Sequence, residues 1–183
     1  MTTFEFVSVL LSMVVSLAFA HLLTGIARLL QTKIVNPSLP YIGWIGIFLF
    51  GCVDYWFSLW QARTTPVWTM AYVLFFLAVG AMLYLTVWLT VPGERDVAED
   101  IDLTKFHQTH RRKFLGVYAI YTVMGLIANL SIGSLESAAL VSAAQLVLIG
   151  IAYAWRDERV QLAAIAAMYA TTGWYVLHYV AAL

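Results

Sequence analysis

The sequence predicts an all-α polytopic membrane protein, a single domain over 1–183 built as a bundle of six transmembrane helices with both termini outside. Three observations lead there. Of its 183 residues 62% are hydrophobic and only 11% charged, against about 25% charged in an ordinary soluble domain, so too little polar surface exists to cover a water-soluble globule. Six apolar runs are each long enough for a crossing of roughly 20 residues. All four prolines, Pro37, Pro40, Pro66 and Pro92, fall between the runs, where they break no helical hydrogen bond.

The runs place helices over 4–30, 41–62, 67–91, 103–130, 137–155 and 160–183. Lipid offers the backbone no water, so runs without a two-residue alternation have to be helical. The first carries Glu5 and has no basic region ahead of it, which marks a first crossing rather than a cleaved signal peptide. The second opens after Pro40 and is crowded with Tyr41, Trp44, Tyr55, Trp56 and Trp60. The third lies between Pro66 and Pro92. A cytoplasmic loop over 93–102 follows, with Asp102 placed to cap a fourth helix that begins before it enters the membrane. Ser131-Ile132-Gly133-Ser134 turns the chain into the fifth helix, and the charged stretch Arg156–Arg159 turns it into the sixth. Gly46, Gly51, Gly80, Gly125 and Gly150 fit close helix packing, and the lone Cys52 fits a small core residue.

Charge gives the orientation. If the helices alternate, Arg28, Lys33, Arg95, Lys105, Arg111, Arg112, Lys113, Arg156 and Arg159 share one side and Arg63 stands alone on the other. That bias predicts a cytoplasmic basic side and periplasmic or extracellular termini. Arg111, Arg112 and Lys113 are expected at the lipid headgroups. His107 and His110 form an H-x-x-H pair, short of the three or four ligands a metal site requires, so solvation at the interface is expected and neither metal nor cofactor is assigned. Ten basic residues balance ten acidic ones, which gives no pull toward nucleic acid.

Asp54 is the one acid deep within a crossing, and an ionisable residue there costs about 2.5–3.5 kcal/mol or more. Helical spacing sets Gly43, Ile47, Phe50, Asp54, Ser58 and Gln61 on one face, which should look away from lipid. Such an acid either serves a pathway, or is pinned by structural hydrogen bonds or held protonated by burial. Glu5, with Ser8, Ser12 and Ser16 behind it, and His178, on a face with Thr171 and Tyr175, fall in the same outer half. The expected polar pathway is therefore Asp54, Ser58, Gln61, His178, Tyr175 and Glu5, although spacing alone does not bring these faces together. The serine ladder also fits a helix-packing seam.

The stretch His21-Leu22-Leu23-Thr24-Gly25-Ile26-Ala27-Arg28, the Trp-rich second helix and His110-Arg111-Arg112-Lys113-Phe114-Leu115-Gly116 resemble a group of short bacterial six-helix inner-membrane proteins with no assigned activity. The resemblance implies a bacterial inner membrane and carries over no catalytic residue. No nucleophile–base pair and no HExxH motif points to an enzyme. Haem ligation is disfavoured because His21, His107 and His110 lie toward one side and His178 toward the other. Two readings remain. One is an oligomeric channel or carrier for protons or a small ion or solute, with Asp54 in its path. The other is an accessory or assembly subunit of a larger membrane complex. Lipids are the partner common to both.

Overall fold

The computed structural model describes residues 3–32, 34–64, 67–93, 100–132 and 136–177. Among these the chain forms six helices: α1 Thr3–Gln31, α2 Leu39–Gln61, α3 Met70–Thr90, α4 Leu103–Ile132, α5 Glu136–Ala154 and α6 Glu158–Tyr175. A 3₁₀ turn, Ala62–Thr64, extends α2. Four helices, α1 to α4, are long and apolar enough to cross a membrane. In α5 the apolar stretch is shorter, Ala138–Ala154, and α6 opens with the polar residues Glu158, Arg159 and Gln161.

Local chemistry sets the helix starts. Thr69 accepts a hydrogen bond from the Tyr72 amide at 3.3 Å, so α3 begins at Met70. Asp102 accepts from the Lys105 amide at 3.0 Å and Asp157 from the Arg159 amide at 2.8 Å. Each carboxylate satisfies an otherwise orphaned first-turn donor and suits the positive end of the helix dipole. Pro40 sits in the first turn of α2, where its missing N–H costs nothing.

The helices close into a ring in the order α1, α3, α4, α5, α6, α2, and α2 leans inward to touch α3 and α4 as well. Two short strands, β1 Ile34–Asn36 and β2 Asp100–Asp102, pair in parallel, with Val35 opposite Ile101. This pair was not legible in the sequence, because each strand is three residues long and lies in a segment that reads as loop. It ties the α1–α2 connection to the α3–α4 connection. Arg111 and Gln161 reach the backbone of Ala152 and Trp155, which brings the α5–α6 connection to the same end. At the opposite end, Phe4 meets Trp68 with ring centroids 6.0 Å apart, and Asn129 bonds Ser142. The helices therefore run alternately up and down. Of the eight basic residues described, seven sit at the strand-pair end and Arg63 alone at the other.

At the strand-pair end the core is aromatic. Trp44, Phe48 and Phe114 are fully buried and Tyr118 nearly so. Phe48 meets Phe114 edge-on at 5.7 Å and Tyr118 at 5.0 Å, the offset geometry that ring quadrupoles prefer. The outward surface is strongly apolar, with Phe6, Leu17, Trp56, Ile120 and Val147 all exposed.

Glycines divide into two groups. A methyl on Gly25 would overlap the Val91 side chain, and one on Gly46 would overlap the Tyr169 hydroxyl, so both allow close helix approach. Gly125 and Gly150 face open space, with no atom near enough to explain them by packing.

Candidate functional site

The ring encloses a cavity of about 240 Å³ in its Arg63 half. Helix α2 supplies Phe50, Asp54, Tyr55, Ser58 and Gln61, and α3 supplies Phe75, Phe76 and Val79. Opposite them stand Tyr121, Thr122, Gly125 and Asn129 of α4, Ser142 and Gln145 of α5, and Thr172 and Tyr175 of α6. From Gln61 to Phe50 is eleven residues, or about 16 Å at the helical rise, so the cavity penetrates close to the middle of the bundle.

It ends there on the aromatic core. Phe50 lies half a turn from Phe48, and the buried, mutually packed rings of Trp44, Phe48, Phe114 and Tyr118 form the next layer toward the strand-pair end.

Several polar walls are already paired. Asn129 Nδ2 donates to Ser142 Oγ at 3.2 Å, and Gln145 Nε2 to Thr172 Oγ1 at 3.3 Å. The Ser58 hydroxyl donates to the Asp54 backbone carbonyl at 3.0 Å, and Tyr55 to the Phe76 carbonyl at 2.7 Å. The Gln61 amide and the Tyr175 hydroxyl interact directly. Asp54 differs from these. No side chain among the described residues hydrogen-bonds its carboxylate, and no Lys, Arg or His is among the described cavity walls. Three phenols, those of Tyr118, Tyr121 and Tyr175, lie within electrostatic range of it.

Of the residues read from the sequence, Asp54, Ser58, Gln61 and Tyr175 thus meet in one cavity. Glu5 does not join them. It lies exposed in the first turn of α1, and α1 adds no wall to the cavity. His178 falls outside the described residues. The α4 and α5 walls escaped the sequence reading because Tyr121, Asn129, Ser142 and Gln145 are uncharged and scattered singly through apolar runs.

A second polar cluster lies at the strand-pair end. The Arg111 guanidinium donates through Nη1 to the carbonyls of Ala152 and Trp155. Gln161 Nε2 donates to the same two carbonyls at 2.6 and 2.7 Å, and Trp44 Nε1 donates to Gln161 Oε1 at 3.4 Å. A cation at the negative end of α5 is favourable, and these donors satisfy carbonyls that the helix leaves orphaned. Arg111 was expected at the headgroups with Arg112 and Lys113, yet it is 1% exposed and turned inward, while its two neighbours are exposed. The fourth helix is long enough that this turn packs against the α5–α6 connection. His107 is buried against Phe114 at 5.7 Å, and neither ring nitrogen has a hydrogen bond of good geometry although Gln161 lies beside it. His110 instead stacks on Phe106 at 4.3 Å. Among the described residues no three His, Cys, Asp or Glu side chains gather as metal ligands.

No family model, curated protein or solved structure matches this chain.

Proposed function

We propose that the protein is a small carrier of the bacterial inner membrane, moving protons or a small ion or solute, with its Arg63 end and both termini outside. The observation that carries this reading is Asp54, a carboxylate that no side chain among the described residues hydrogen-bonds, facing a polar cavity inside a ring of apolar helices. An ionisable group at such a depth is costly unless a pathway uses it. All six helices cross in this reading. α5 and α6, with 19 and 18 residues, reach about 28 and 27 Å at the helical rise, close to the thickness of roughly 30 Å of a bilayer core. The apolar outer surface favours lipid contact, and the basic strand-pair end favours the cytoplasm.

Between channel and carrier, the aromatic core favours the carrier. The cavity is blind toward the basic end, and transport requires the Trp44–Phe48–Phe114–Tyr118 packing to part in a second conformation. Proteoliposome flux tests the proposal. Asp54-dependent uptake of protons, sodium or a small organic ion is the expected result, and flux unchanged in D54N refutes the role of Asp54.

The accessory-subunit reading has its own support. α5 and α6 are the two helices outside the four that are long and apolar enough to cross a membrane, and between them runs an outward groove walled by Leu140, Ala144, Ala170 and Trp174. Small residues let a neighbouring helix approach closely, so a second copy or another subunit fits there. Purification in fixed ratio with another membrane complex, without intrinsic flux, decides for this role.

A further inference from the structure

We infer that the α2–α6 cavity is a binding site for an organic monocation, an ammonium group on a small apolar body, with Asp54 as its counter-ion. This names a substrate class for the transport reading and rests on it.

Charge gives the first constraint. The described walls hold one acid and no base, so an anion is repelled and a neutral solute leaves the carboxylate uncompensated. A cation neutralises it in a setting where water competes weakly.

Shape and chemistry give the second. At roughly 30 Å³ per water, the 240 Å³ cavity has room for about eight waters, far more than a bare proton or metal ion occupies. A hard metal ion needs some six oxygens converging on it. Here the described walls supply one carboxylate and no second charged oxygen, the other polar walls being neutral amides and hydroxyls spread over α2, α4, α5 and α6. Aromatic rings are abundant instead. Phe50, Phe75, Phe76, Tyr121 and Tyr175 stand on the same walls as Asp54. Ring faces attract ammonium groups, most strongly when water is excluded. Val79, Ala128 and Val141 offer an apolar wall to the rest of the ligand.

The test uses the full chain in lipid nanodiscs, titrated calorimetrically with phenylethylammonium and with its neutral isostere 2-phenylethanol. Saturable binding of the ammonium alone is expected. D54N should weaken it by roughly thirtyfold or more, as loss of a buried charge partner does, and Tyr121→Leu by about three- to thirtyfold through the lost ring. Equal binding of the alcohol, or no binding of the ammonium, overturns the inference. Should D54N not fold, the ammonium–alcohol comparison on the unaltered chain decides alone. Asp54-dependent proton or sodium flux without ammonium binding sinks this inference and leaves the carrier standing. Ammonium binding without flux of any kind supports the site and sinks the carrier.

Discussion

Gln161 Nε2 donates to the Ala152 carbonyl at 2.6 Å, so a side chain from the start of α6 closes the end of α5. Arg111 of α4 donates to that same carbonyl, and three helices are joined through one backbone oxygen. Because either donor can satisfy the carbonyl, Gln161→Leu should destabilise the protein by only about 1–3 kcal/mol, chiefly through the unpaired Trp44 indole. Combining it with Arg111→Met should cost more than the sum of the single changes, since both carbonyls are then orphaned. Denaturant unfolding of the four proteins in detergent measures the coupling, and simple additivity rejects the shared-acceptor account.

Gly25 and Gly150 should behave oppositely. A methyl at Gly25 meets the stiff Val91 side chain, whereas one at Gly150 meets nothing. Gly25→Ala should therefore lower stability by about 1–3 kcal/mol through overpacking. Gly150→Ala should raise it slightly, by roughly 0.5–1 kcal/mol, through helix propensity alone. Thermal melts of the two variants check the signs.

Tyr55 donates its hydroxyl to the Phe76 carbonyl at 2.7 Å and is buried, linking α2 to α3 beside the cavity. Tyr55→Phe keeps the ring and removes the bond, so a loss of about 0.5–1.5 kcal/mol is expected. No measurable change in unfolding free energy would show that this bond does not hold the two helices together.

Thiol labelling separates the cavity from the core. Cys52 is 2% exposed and should resist a polar methanethiosulfonate reagent until the protein unfolds. In a Cys52→Ala background, Ser142→Cys should be modified from the Arg63 side, and a cationic reagent should outpace an anionic one because Asp54 attracts it. Reversed charge preference, or rapid labelling of Cys52 in the folded protein, contradicts the cavity as described.

Much of this was written in the sequence. Low charge and long apolar runs are sums over many residues, so the six helices and the concentration of basic residues at one end were readable without coordinates. Asp54, Ser58 and Gln61 were legible as a set because they belong to one helix, where spacing alone determines which side chains share a face. Tyr175 was visible as a polar position near a helix end, but its meeting with Gln61 was not.

Tertiary structure decided which faces meet. It set α4 and α5 walls opposite Asp54, excluded Glu5 with the rest of α1, and turned Arg111 from the headgroups into the bundle. It also joined two three-residue strands 66 positions apart. None of these follows from periodicity, because each depends on the rotation and tilt of one helix against another. Those are determined by side-chain packing between segments distant in sequence. The sequence by itself determined a charge-poor bundle of six helices with one deep acid, and packing decided that this acid faces a polar, aromatic cavity.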